Sequence, residues 1–183
     1  MTLGLNHIKV PSACNHNIEL IEYLYQNFDG LIHISLGMTT EKERDELLSY
    51  IHGKDPSDFC RTVIYHCTSG YPVPFEKLYL NEIKTLSDKK YELDGCKDPQ
   101  SFILGFSNHG YGIAADIAAW TLGAQYIERH FIDDRAFPHN DSSCSLEPDG
   151  LRRLCRDLNA VHRAMGSKPK GLDEIEKIQR DKL

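Results

Sequence analysis

The chain has 183 residues, 40% hydrophobic and 26% charged, a composition that supports one globular domain with a sizeable core. Its formal net charge of −6 argues against a general nucleic-acid or membrane-surface binder, yet leaves room for a local basic pocket that takes a small anion. No apolar run approaches the roughly eighteen residues needed to cross a bilayer and Met1 to Val10 lacks signal-peptide regions, so a cytoplasmic protein with reduced cysteines is expected.

From Leu5 onward, short apolar runs alternate with amphipathic stretches. Leu5 to Val10 reads as a strand and Asn17 to Gln26 as a helix; Leu31 to Ser35 and Glu41 to His52 repeat the pair. Thr62 to His66 precedes Phe75 to Ser87, Phe102 to Phe106 precedes Gly112 to Leu122, and Tyr126 to Phe131 precedes Pro148 to Met165. Five such pairs in series predict parallel strands joined by right-handed crossovers, an α/β chain. Thr39 or Thr40 ahead of Glu41, and Ser145 to Asp149 ahead of the last long helix, carry helix-start chemistry. Ala114 to Leu122, small and apolar nearly all round, predicts a tightly buried helix. Leu151, Leu154, Leu158, Val161 and Met165 predict that the last long helix lies on the sheet. Residues 1–167 form the domain and 168–183 a polar C-terminal tail.

In parallel α/β folds ligands bind at the carboxyl ends of the strands. There the loops carry Lys9 to Asn15, Ser35 to Thr39, His66 to Pro74, Ser107 to Gly112 and His130 to Ser145. His109 and His130 each follow an apolar run that reads as a buried strand, so two imidazoles are expected side by side, half of a metal site. Glu128 and Asp134 are candidates to orient His130, and His139 to touch substrate. Cys67 reads as packing, Tyr71 to Pro74 as a rigid loop, and His7 and His33 as unremarkable.

Together these loops resemble the sialic acid synthase family. The motifs are Ile8-Lys9-Val10-Pro11-Ser12, Ile34-Ser35-Leu36-Gly37-Met38, His66-Cys67-Thr68-Ser69-Gly70-Tyr71-Pro72, Gly105-Phe106-Ser107-Asn108-His109, Glu128-Arg129-His130-Phe131 and Ser145-Leu146-Glu147-Pro148. The resemblance implies a partial TIM-type (β/α) barrel of about five βα units. It also implies condensation of phosphoenolpyruvate with an N-acetylated amino-sugar aldose to a nine-carbon 2-keto-3-deoxy sugar acid. On the same basis His109 and His130 bind a divalent metal, usually manganese, and are catalytic; Lys9, Ser12, Ser35 and Ser107 hold phosphoenolpyruvate; and Asp141 contacts the sugar.

Departures from the family pattern are Asn108 for an acid, Gly70 for an asparagine, Leu36 for a threonine, Ser142 for a histidine, Ala13 and Cys14 for Gly-Asp, and Arg129 for a lysine. A complete barrel needs about 250 residues, and the family's first strands, which supply a glutamate and further phosphate contacts, have no counterpart here. The isolated chain is therefore expected to be inactive. An open arc would expose two edges and the apolar face of a barrel interior, so the chain reads as the second half of a split enzyme, a fragment of a longer one, or a subunit that pairs with itself as a homo-oligomer or with a complementary half-barrel. An open doubly wound sheet and a non-catalytic half-barrel that binds a partner chain are the alternatives.

Overall fold

The computed structural model describes residues 4–88, 102–137 and 140–183. Five parallel strands, β1 (His7–Val10), β2 (Leu31–Ser35), β3 (Thr62–Cys67), β4 (Ile103–Asn108) and β5 (Tyr126–Arg129), pair strictly in chain order. Between them run α1 (Ile18–Asn27), α2 (Glu41–Lys54), α3 (Pro56–Cys60), α4 (Asn81–Asp88) and α5 (Ala114–Thr121), followed by α6 (Pro148–Ala164) and α7 (Glu174–Arg180). This is the half-barrel form of the α/β class; the strands curve into an arc, which excludes the open doubly wound alternative.

Strand period two divides the side chains cleanly. Val10, Ile32, Ile34, Ile64, Leu104 and Phe106 face the helices and form one core with Ile21, Leu24, Leu48, Ile51, Ile83 and Ala119. Lys9, His33, Ser35, Tyr65, Ser107 and Glu128 occupy the alternate positions and meet one another on the concave side. The expected apolar interior is thus polar, because hydrogen bonds between these groups, not hydrocarbon contact, satisfy that face.

Local chemistry explains the helix starts. Asn17 caps α1 through Leu20 N, and Thr40 forms a capping box with Glu43 at α2. Asp55 caps α3, with Pro56 in its first turn, so the second predicted helix becomes two. Phe75 to Ser87 also divides, into a 3-10 turn at Phe75–Lys77 and α4, with Tyr79 at φ 46° in between. Glu147, not Ser145, precedes α6; Ser145 is buried and bonds the Asp141 carbonyl instead.

Three packing expectations are corrected. β5 is half-buried along its length because it is an edge strand. On α5 only Ala115, Asp116 and Ala119 are buried. α6 packs on α5, where Trp120 meets His162, and buries only Leu154, leaving Leu151 and Met165 exposed. Within 168–183, Asp173 caps the exposed α7. Among the described residues no helix is long and apolar enough to cross a membrane. Cys14, Cys60, Cys67, Cys144 and Cys155 are in no disulfide; Cys96 lies outside the described residues.

Candidate functional site

The carboxyl ends of the strands converge on a cavity of about 300 Å³ lined by Lys9, Ser12, Ser35, Cys67, Tyr71, Ser107, His109, Glu128 and His130. Its floor is a hydrogen-bonded cluster. Lys9 Nζ lies 2.8 Å from Glu128 Oε2 and 3.5 Å from Ser107 Oγ; Ser107 Oγ donates to Glu128 Oε2 at 2.5 Å and lies 3.0 Å from Ser35 Oγ. Ser12 is held from two sides, accepting from Gly37 N at 3.1 Å and approaching Cys67 Sγ at 3.7 Å. A Cβ at position 37 would come within 2.2 Å of Ser69 Oγ and 2.6 Å of Ser12 Oγ, so glycine here leaves both hydroxyls in place. Buried Asn15 ties the first two loops together by donating to Ser35 O and Thr39 Oγ1.

Burial pushes the Lys9 ammonium below its usual pKa, and the bond to Glu128 restores only part of the shift. Burial alone would raise Glu128, but bonds from Lys9 and Ser107 outweigh it and hold the carboxyl below the ordinary range. The floor is therefore a cation and an anion side by side, with three hydroxyls around them.

The wall opposite is aromatic and imidazole. His109 and His130 have ring centroids 5.1 Å apart, and Tyr71 stands 4.5 Å from the first and 5.7 Å from the second. His109 Nδ1 lies 3.0 Å from the Thr68 carbonyl, and His130 Nδ1 lies 3.8 Å from Asp141 Oδ2. Among the described residues neither Nε2 has a hydrogen-bond partner. Burial lowers the His109 pKa, which favours the neutral ring that metal ligation requires. Two neighbouring imidazoles, one bonded through Nδ1 to a carbonyl and the other with Nδ1 facing a carboxylate beyond hydrogen-bond distance, could hold a divalent cation with open positions. Among the described residues no third His, Cys, Asp or Glu completes a metal-sized cluster.

Six of the seven expected site residues line the cavity and the seventh, Asp141, stands beside His130, but their partners differ from expectation. Glu128 serves Lys9 and Ser107, not His130, because the arc brings β1 within its reach. Asp134 accepts from Ala136 N in an exposed turn, so Asp141 is the carboxylate facing His130. The Asp141 carbonyl accepts from Ser145 N and Oγ, and Leu146 N donates to His130 O, which winds this loop back onto β5. Asn108 is fully buried and turned away from the cavity, donating to Asp116 Oδ1 and accepting from Gly110 N. Arg129 braces the same region through the carbonyls of Gly110 and Cys144. Sequence reasoning missed Tyr71 beside the imidazoles, and His33 and Tyr65 beneath Lys9; period two from Ser35 and Cys67 was the available signal. His139 lies outside the described residues.

The family model described as "NeuB family" matches residues 1–170. The N,N'-diacetyllegionaminic acid synthase of Campylobacter jejuni is 32% identical over 164 residues, covering 90% of this chain and 46% of that protein. Human N-acetylneuraminate-9-phosphate synthase is 30% identical over 181 residues, 99% of this chain and 46% of that one. Among solved structures, an N-acetylneuraminic acid (sialic acid) synthetase from Leptospira borgpetersenii, in complex with citrate, aligns with a TM-score of 0.78 and 25% identity over 98% of this chain and 57% of its own. The chain spans about half the length of the curated relatives it matches.

Proposed function

The chain belongs to the NeuB family, and on that footing we propose that it carries the metal-binding and part of the phosphoenolpyruvate-binding half of a sialic acid synthase-type active site. The observation that carries this reading is the placing of two imidazoles with centroids 5.1 Å apart and a Lys9–Glu128 pair in one cavity. Phosphoenolpyruvate, with its carboxylate and phosphate, is the anion for the floor: Lys9 supplies the charge, and Ser12, Ser35 and Ser107 supply directional bonds. His109 and His130 would hold a divalent cation, manganese in this reading, which when bound supplies Lewis acidity toward the aldehyde of an N-acetylated amino sugar. Asp141 steadies His130 and faces the sugar. The Lys9, Ser107 and Glu128 cluster can hold or pass a proton at Ser107 Oγ while the new carbon–carbon bond forms. Water then adds to the resulting oxocarbenium-like centre, and phosphate leaves with cleavage of its carbon–oxygen bond.

The products are a nine-carbon 2-keto-3-deoxy sugar acid and phosphate, formed in the cytoplasm. The 183 residues alone are expected to give no turnover, because the family's first strands, with further anion contacts, are not among them; a homo-oligomer or a complementary half-barrel is one way to cover the edges β1 and β5. The test is product formation from phosphoenolpyruvate and N-acetylmannosamine, with a panel of related aldoses, by the natural protein with manganese. No product from any aldose overturns the reading. One observation favours a non-catalytic half-barrel that binds a partner chain: Asn108 stands where the family has an acid and is turned onto Asp116. Manganese titration separates the two readings, since only a retained site binds the ion.

A further inference from the structure

The concave face beneath the cavity carries polar groups that the proposed chemistry leaves unused. His7 Nδ1 and His33 Nε2 are 2.9 Å apart, and His33 Nδ1 and Tyr65 Oη are 2.9 Å apart, so side chains from β1, β2 and β3 form one hydrogen-bonded row. Tyr65 is 5% exposed, and its register partner on β4 is Gly105, where a Cβ would come within 2.6 Å of the ring. The hydroxyl is thus tied at one end and the ring occupies space that only glycine leaves free. Lys9 Nζ stands 3.6 Å from the centroid of that ring.

A lysine side chain is long and rotamer-rich, and its counter-ion here is a carboxylate that any incoming anion must displace or share. The ring face attracts an ammonium through its quadrupole without competing for the hydrogen bonds an anion needs. We propose that Tyr65 is a positioning residue for the anion site: its ring, locked by His33 and by the space over Gly105, holds the Lys9 ammonium at the cavity floor while Lys9 exchanges Glu128 for a bound phosphate or carboxylate. The anion step rests on the reading of Lys9 given above; the contact between ring and ammonium does not.

Two measurements on the full chain keep these apart. After reductive dimethylation with 13C-formaldehyde, the Lys9 methyl signal, identified by its loss in Lys9→Arg, is expected upfield of the other lysines in the wild type and in Tyr65→Phe, and among them in Tyr65→Leu. In titrations with inorganic phosphate, Tyr65→Leu is expected to weaken binding about tenfold and Tyr65→Phe by no more than about twofold. Gly105→Ala, which displaces the ring while keeping Tyr65, is expected to reproduce Tyr65→Leu in both, with thermal unfolding confirming that each variant is folded. Wild-type affinity in Tyr65→Leu, or a loss in Tyr65→Phe as large as in Tyr65→Leu, overturns the inference, as does an unshifted Lys9 signal in a wild type that binds phosphate. A wild type with the upfield signal and no phosphate binding overturns instead the anion-site reading of Lys9, and the ring contact stands.

Discussion

Lys9 and Glu128 lie on the two edge strands of the sheet, 119 residues apart in sequence, and meet at 2.8 Å. Only a strongly curved sheet allows this, and Ser35 on β2 and Ser107 on β4 meet inside the same curve at 3.0 Å. An anion that enters the cavity therefore finds a cation already engaged.

Removing the competing charge tests that relationship. Glu128→Gln is expected to tighten phosphate binding by about three- to tenfold, the order of one unit charge acting across a few ångströms of partly solvated site. Lys9→Met is expected to abolish binding. Calorimetric titration reads both, and weaker binding in Glu128→Gln would show that the carboxylate serves the anion rather than opposing it.

Asp141 is placed to orient His130, with Oδ2 3.8 Å from Nδ1. Asp141→Asn should weaken manganese binding by about tenfold, the lower end of the range for losing such a partner, and His109→Ala or His130→Ala should abolish it. The free-ion signal of manganese in electron paramagnetic resonance gives the affinities. Equal affinity in Asp141→Asn and wild type would remove Asp141 from this role.

His33 is buried, and burial first, then the neighbouring His7 and Lys9, lowers its pKa from 6.5 to about 4. Between those values the unfolded chain binds more protons than the folded one, so stability falls as the solution is acidified. The contribution is fully present above about pH 6.5 and is lost as pH falls through about 4. It is on the order of 3 kcal/mol. Urea unfolding of the wild type minus that of His33→Gln should isolate this slope; parallel curves would refute the assignment.

Gly37→Ala places a methyl group against Ser69 Oγ and Ser12 Oγ. Overpacking of this kind costs about 1–3 kcal/mol, and it displaces the Ser12 hydroxyl from the cavity. Lowered thermal stability together with weakened phosphate binding is the expected pair of results. A variant with unchanged stability would mean that the loop yields without strain.

The five βα units were legible from local pattern, whereas their closing into a half-barrel was implied only by the family resemblance. Apolar runs of strand length separated by capped, amphipathic helices placed all five βα units, and parallel connectivity put the carboxyl ends of Ser35, Cys67, Ser107 and Glu128 on one rim. The pairing of His109 with His130 followed from the same logic, since residues just past the ends of neighbouring parallel strands are neighbours in space.

What the chain determined by itself was therefore the order of elements, the rim they share and the residue types on it, all set by interactions a few residues long. Tertiary structure alone decided that Glu128 reaches Lys9 instead of His130, that Asn108 turns inward to Asp116, and that the barrel interior is a polar row through His33 and Tyr65. Period two assigns a side chain to a face but says nothing of how tightly that face curves. The curvature fixes which side chains from distant strands come within hydrogen-bond reach.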